Sequence, residues 1–162
     1  MGPINLIRIA HLTAFVALAL VVPATAAASS TVPLSISESL VFPPFQPPVG
    51  TFTLSGVAGC STGTFGDELI AADADFTHVR VARHYACRGG AGAFTAVLAL
   101  TVGPGPTAGT ASVSGLWTLR EGTGALAHVR AAGRIQGLNV GCVPFAGCAA
   151  GSGTVVGVAH LA

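Results

Sequence analysis

The feature that most restricts the fold of this chain is a two-residue alternation of apolar and polar side chains. In the segment 92–102, apolar residues occupy every second position from Phe94 to Val102. The segments 110–120 and 76–88 follow the same period, with apolar faces that contain Trp117 and Tyr85, respectively. After residue 26, no window of twelve residues carries the 3.6-residue apolar stripe of an amphipathic helix. Since this alternation places neighbouring side chains on opposite faces of a strand, we predict an all-β protein.

Glycine-rich turns divide the chain after Val49 into short strands at spacings near ten residues. The stretch Gly103–Pro106 is expected to form a hairpin loop, and Phe65–Phe76 a strand followed by a turn at Asp73–Asp75. Glycines inside the strands suit the tight bends of a small barrel; they are Gly56, Gly115, Gly133 and Gly157. We therefore predict a single antiparallel closed barrel of about eight short strands, with a β-sandwich as the alternative.

Residues 1–26 have the three parts of an export signal. Arg8 lies in a positive first part, Leu12–Val22 is apolar, and Ala24 and Ala26 supply the small side chains that a signal peptidase requires. The apolar stretch is too short for a hydrocarbon core of about 30 Å, so we predict cleavage after Ala26, with Ala28 as the alternative site, and a secreted, extracellular protein with no membrane span. Residues 27–48 are rich in Ser, Thr and Pro, which predicts an extended arm before a barrel domain at 49–162.

Four cysteines follow the signal: Cys60, Cys87, Cys142 and Cys148. An even number in an exported chain predicts two disulfides, for which three pairings exist. We favour Cys60–Cys87 and Cys142–Cys148, because local strand pairing would bring each of these pairs together. Zinc is the competing interpretation, but there is no CxxC and no suitably spaced His, so we expect no metal.

The charge balance excludes several classes of partner and cofactor. Residues 27–162 contain six Arg, six acidic residues and no Lys, so there is no basic footprint for nucleic acid or anionic lipid. Without Lys there is no P-loop, and Gly122-Thr123-Gly124 lacks the third Gly and the following helix of a dinucleotide site. The acids at 67–75 do not match a calcium-binding EF-hand loop. We expect no cofactor and interpret Gly122, Thr123 and Gly124 as a turn between two strands.

The segment Leu116–Gly137, LWTLREGTGALAHVRAAGRIQG, resembles the strand–GTG–strand segment of the allene oxide cyclase/dirigent barrel superfamily. The variants most similar in pattern are small exported actinobacterial proteins, which share the order of CSTGTF at Cys60 and ACRGGAGAFT at Cys87. Glu121 departs from this pattern, since the first Gly of GGTG usually stands there. The resemblance implies an eight-stranded antiparallel barrel and brings no catalytic residue with it.

His78, Arg80 and His84 are the weak catalytic candidates, because they share one side of a predicted strand. If that side lined the barrel, the three could polarise a carbonyl or epoxide oxygen; on the outside they would be ordinary surface residues. We predict a non-enzymatic protein that binds a small apolar ligand in its lumen or takes part in a surface interaction. One alternative, by analogy with the superfamily, is a cofactor-free cyclase or stereochemical guide. Another is a barrel whose lumen is packed with side chains and binds no small ligand.

Overall fold

A computed structural model describes residues 30–143 and 147–161, so the predicted signal at 1–26 lies outside the described residues. The strands are β1 (Ser30–Val41), β2 (Val49–Ser55), β3 (Thr62–Ala72), β4 (His78–Cys87), β5 (Ala93–Pro104), β6 (Thr110–Gly122), β7 (Val129–Val140) and β8 (Ala150–Leu161). Each strand pairs antiparallel with the next, and β8 pairs with β1 to close the ring. The predicted all-β closed barrel of eight strands is confirmed.

The first strand corrects the predicted domain boundary at residue 49. Ser30–Val41 pairs with β8 over its whole length and also with β2. The Ser and Pro content of this segment predicted an arm. However, Leu34, Ile36 and Leu40 lie on one face of the strand, in alternation with serines, and are buried inside the barrel. Without this strand the barrel could not close, so the domain includes residue 30.

The core is the lumen of the barrel, filled by the apolar faces that the alternation predicts. Leu98 and Trp117 are each 1% exposed, and Leu126, in the turn after β6, is fully buried. The indole Nε1 of Trp117 donates a hydrogen bond to the carbonyl of Val156 at 3.1 Å. A Cβ at Gly157 would lie 2.2 Å from the carbonyl oxygen of Ala132 and 2.7 Å from the Trp117 ring, so this glycine fits between the neighbouring strand and the indole.

Both favoured disulfides are present. Cys60–Cys87 has a Cα–Cα distance of 5.5 Å and lies in the core, where it ties the loop after β2 to the end of β4. Cys142–Cys148 closes the short β7–β8 connection, with a Cα–Cα distance of 3.8 Å. No cysteine in the described residues is free.

The GTG segment forms a turn that helps to close one end of the barrel, which we call the sealed end. The backbone of Thr123 donates to the carbonyl of Ala93 at 2.8 Å, and the Thr123 hydroxyl accepts from the amide of Ala93. Gly124 has a φ of 58°, as predicted for a turn glycine. Gly122 does not have a positive φ. A glycine is needed at this position because a Cβ would lie 2.2 Å from the carbonyl oxygen of Leu126.

The opposite end, which we call the rim end, carries the connections 42–48, 73–77 and 105–109, and the described residues 141–143 and 147–149 of the β7–β8 connection. The predicted loop at Gly103–Pro106 and the predicted turn at Asp73–Asp75 both lie here, although β5 runs on to Pro104. Among the described residues, no helix is long and apolar enough to cross a membrane.

Candidate functional site

The three weak catalytic candidates lie on the outside of β4 and do not form a common site. His78 is exposed and bonds Asp73 through Nδ1 at 2.9 Å. His84 is exposed and contacts Thr95 at 3.1 Å and Glu68 at 3.3 Å instead. Arg80, also exposed, joins neither pair in the described residues. The surface interpretation of this side of the strand is therefore the one observed.

The inside of β4 instead carries a buried charged residue, Arg83, at the centre of what we call the buried cluster. Its Nη1 donates to Glu38 Oε2 at 2.5 Å, and its Nε and Nη2 donate to the two oxygens of Asp67, each at 2.6 Å. The hydroxyl of Tyr85 donates to the other oxygen of Glu38. The side chains of Arg83, Asp67 and Glu38 are 4%, 5% and 0% exposed, respectively.

Burial sets the protonation behaviour of this cluster. Desolvation raises the pKa of Glu38 above its ordinary value of 4.5, although Arg83 and the Tyr85 hydroxyl oppose the shift. Desolvation also raises the pKa of Tyr85, and the adjacent Glu38 charge adds to the effect. For Arg83, desolvation lowers the pKa, but the hydrogen bonds that Arg83 donates to Asp67 and the charges of both acids outweigh this effect and raise the pKa overall. Two carboxylates thus share one guanidinium, so the ionised cluster carries one excess negative charge.

Aromatic rings surround the cluster and fill the space around it. Tyr85 stacks on Phe94 with ring centroids 4.3 Å apart, and Phe52 meets both rings edge-on. The guanidinium of Arg83 lies 4.6 Å from the centre of the Phe65 ring. No buried side-chain polar atom of the described residues lacks a hydrogen-bond partner. The cluster is satisfied internally, as buried charges in a stable interior must be.

Sequence reasoning missed Arg83, Glu38 and Asp67, although the alternation contained the signal. Arg83 occupies an apolar-face position between Val81 and Tyr85. Glu38 likewise lies in phase with Ile36 and Leu40, in a segment interpreted as an arm. A charged residue among the inward-facing positions of a strand is buried and therefore needs a partner of opposite charge. Arg83 is positive, and Glu38 and Asp67 are the negative partners that it binds.

Two concavities lie on the outer wall of the barrel. One, of about 590 Å³, spans β6, β7 and β8 near the sealed end, and its outward side chains are Thr118, Arg120, Arg130, Ala132, Val158 and His160. The other, of about 330 Å³, spans β3, β4 and β5 and includes Asp73, His78 and Arg80. Both are open to solvent on one side.

The rim end carries most of the large apolar side chains that the described residues expose. We call this set the apolar rim; it consists of Val41, Phe45, Val49, Leu69, Ile70, Phe76, Val140 and Val143. A bulge between Leu69 and Ala71 interrupts the β3–β4 register beside Leu69 and Ile70. Large exposed apolar patches on monomeric proteins mark interaction surfaces.

Two phenylalanines of the apolar rim are held in an unfavourable backbone conformation. Phe45 has a φ of 62° and Phe76 a φ of 57°. Phe45 follows Pro44 in a turn closed by the bond from the Gln46 amide to the Pro43 carbonyl at 3.2 Å. That third turn position with positive φ normally takes Gly or Asn, because a larger residue is strained there.

No protein-family model, no curated protein and no solved structure matches this chain. The resemblance to the allene oxide cyclase/dirigent superfamily therefore stays a prediction.

Proposed function

We propose that this is an exported, non-enzymatic binding protein that contacts a partner protein through its apolar rim. The observation that carries the proposal is Phe45, a fully exposed aromatic side chain held at positive φ at the tip of a proline-stiffened turn. Glycine at this position would relieve the backbone strain. A side chain that costs folding stability and is not packed against any described residue of its own chain indicates a role outside the fold.

The rim is preorganised for such a contact. At Phe76, the carboxylate of Asp73 accepts hydrogen bonds from the His78 amide and the Thr77 hydroxyl, and Asp75 accepts from the Thr77 amide. Prolines at 43, 44, 47 and 48 stiffen the connection that presents Phe45. A rigid aromatic anchor loses little conformational entropy on binding, which is the property of hot-spot residues in protein interfaces.

The charge around the rim favours a protein partner over a lipid surface. The connections 42–48, 73–77, 105–109 and 141–149 contain no Lys or Arg, whereas peripheral binding to anionic membranes depends on basic residues. Asp73 and Asp75 lie beside Phe76 and would repel anionic headgroups. The complementary surface is an apolar pocket for Phe45, bordered by positive charge that faces Asp73 and Asp75.

The other interpretations of the sequence are less well supported by the geometry. A small apolar ligand in the lumen would have to displace Trp117 and Leu98, which are almost fully buried. A cofactor-free cyclase or guide protein would need reactive groups around an accessible space. His78 and His84 point away from the lumen, and Arg83 is paired with acids inside it. Both remain sequence-based predictions.

Site-specific photo-crosslinking tests the proposal. A benzophenone amino acid is placed at residue 45 of the exported protein in its producing culture, with residue 116 as the control, because Leu116 is exposed on the outer wall. We expect a protein adduct from residue 45 only, which excess wild-type protein suppresses and the Phe45→Gly variant does not. Adducts of equal yield from residue 116, adducts of two copies of this chain, lipid adducts alone, or no adduct would each refute a partner protein at the rim.

The same variant separates binding from folding. Phe45→Gly removes the strain, so we expect an increase in the free energy of unfolding of about 0.5–1 kcal/mol. Loss of a buried phenyl ring at the interface costs about 1.5–3 kcal/mol, so affinity for the cross-linked partner should fall roughly ten- to hundredfold. A variant that is more stable and still binds with wild-type affinity would contradict the role of Phe45.

A further inference from the structure

We propose that the concavity across β6, β7 and β8 binds an organic anion with an apolar body, such as a carboxylate on an aliphatic or aromatic group. This site lies near the sealed end, away from the apolar rim, and does not depend on the proposed partner. We call it the basic concavity, defined by Thr118, Arg120, Arg130, Ala132, Val158 and His160.

The register of the strands builds this concavity from small residues flanked by cationic ones. Ala132 on β7 pairs with Thr118 on β6 and with Val158 on β8. Because Ala132 has the smallest side chain of the three, the outer wall is depressed at its position. The next row toward the sealed end pairs Arg130 with His160. The floor is therefore apolar, and basic side chains stand at one edge of it. The concavity has a volume of about 590 Å³ and is open to solvent on one side, so a small organic molecule would lie against this wall rather than be enclosed by it.

Among residues 30–143 and 147–161, the two arginines of the basic concavity have no acidic partner. In the part of the chain that the structure describes, neither Arg120 nor Arg130 has a carboxylate within salt-bridge distance. Within the described residues, the one hydrogen bond that the Arg130 side chain donates is to the carbonyl of Val129, at 3.3 Å. No acidic residue is among the described residues that line the concavity, and Glu121 is next in sequence to Arg120.

On the opposite side of the outer wall, basic side chains lie close to acidic ones. Glu68, Asp73 and Asp75 lie on or beside β3, and β3 is opposite β7 in the eight-stranded ring. The second concavity, which has an alanine-lined wall of the same kind, contains Asp73 beside its His78 and Arg80. An anion is therefore favoured at the basic concavity and disfavoured across the barrel.

The side-chain chemistry identifies the anion class. Guanidinium groups present paired N–H donors that match two oxygens of a carboxylate or sulfate, and they stay charged at any physiological pH. His160 adds a ring nitrogen that contacts the Thr31 hydroxyl at 3.3 Å. Since Ala132 and Val158 supply apolar contact beside these donors, an ion with a hydrocarbon portion should bind better than inorganic sulfate.

Titrations of the isotope-labelled protein, followed by amide chemical shifts, test this inference with three probes: 4-phenylbutyrate, its neutral amide and inorganic sulfate. We expect the carboxylate to bind at least tenfold more tightly than either other probe and to shift the amides of Thr118, Ala132 and His160. In the double variant Arg120→Gln/Arg130→Gln, the affinity for 4-phenylbutyrate should fall at least tenfold. The matched control is Arg134→Gln, an exposed arginine on β7 that does not line the concavity.

Each alternative result would overturn the inference. Equal binding of the carboxylate and the amide would show that the charge is not recognised. An equal loss of affinity in Arg134→Gln would indicate diffuse attraction to a basic face, and shifts confined to the rim would place the probe elsewhere. Because all three arginines are exposed, the variants should keep the wild-type amide spectrum outside the site, which checks their folding.

Discussion

Replacing Arg83 with Met should be among the most destabilising single substitutions in this barrel, and the loss should depend on pH. Arg83 is the only cation of the buried cluster and bonds both Glu38 and Asp67. Met keeps much of the side-chain volume but leaves two carboxylates in the interior without a counter-charge. Tyr85 can still donate to Glu38, but nothing replaces the three N–H donors.

The expected magnitude follows from this geometry. Removing one partner of a buried ion pair costs about 3–5 kcal/mol, and here one substitution strips the cation from two acids, so we expect a loss at the upper end, about 4–5 kcal/mol at neutral pH. The total stability of a domain is about 5–15 kcal/mol, so such a loss removes a large part of it. Buried carboxyls without a cation have raised pKa values in the folded state. As the pH falls through them the folded chain binds more protons than the unfolded chain, and the deficit relative to wild type should shrink.

Urea unfolding followed by the fluorescence of the buried Trp117 measures the loss at about pH 7 and about pH 4.5. Arg80→Met is the matched control: it is an exposed arginine on the same strand, and we expect a change within about 0.5 kcal/mol. If Arg83→Met does not fold at neutral pH, recovery of the fold in acid is the readout. A loss below about 1 kcal/mol, or a deficit that is equal at both pH values, would refute the reasoning.

Three further outcomes follow from the same structure. The raised pKa of Glu38 means that its contribution to stability falls as pH rises above its ordinary value of 4.5, so Glu38→Gln should flatten the dependence of unfolding free energy on pH; an unchanged slope would contradict this. Gly157→Ala should cost about 1–3 kcal/mol in a urea titration, because its Cβ would clash with the carbonyl oxygen of Ala132 and with the core indole of Trp117. Gly66→Ala, whose Cβ would have its nearest atom at 3.8 Å, should cost far less, and equal losses would argue against the tight packing around Gly157. Removing the Cys60–Cys87 disulfide should cost about 3.5 kcal/mol in the chain-entropy model, against about 2 kcal/mol for the short disulfide at the rim end, and calorimetry of the two double-alanine variants ranks them.

The candidate sites divide into parts that a sequence can and cannot predict. The alternation in β4 correctly placed His78 and His84 on one face and Tyr85 on the other, and Arg83 was in phase with Tyr85. What it could not show was that Glu38, 45 positions earlier, would bond Arg83. Strands distant in the chain meet only when the ring closes, so contacts across the lumen depend on closure and register rather than on local pattern.

The apolar rim illustrates the same limit. Phe45 in FPPFQPP is visible as a proline-flanked aromatic residue, but its positive φ and full exposure depend on how the turn between β1 and β2 is closed. Likewise, Arg120, Arg130 and His160 lie on three strands, and nothing in their spacing predicts that they share one concavity.

The sequence by itself determined the all-β class and which side chains share one face of each strand, and it favoured the cysteine pairing that the structure contains. These depend on a two-residue period and on neighbouring segments, which are local properties of the chain. Only the tertiary structure decided that β1 belongs to the barrel, that three charges are buried together and that apolar and basic surfaces form at opposite ends. The physical reason is that closing the ring between β1 and β8 fixes which distant side chains face the same space, and no local pattern contains that information.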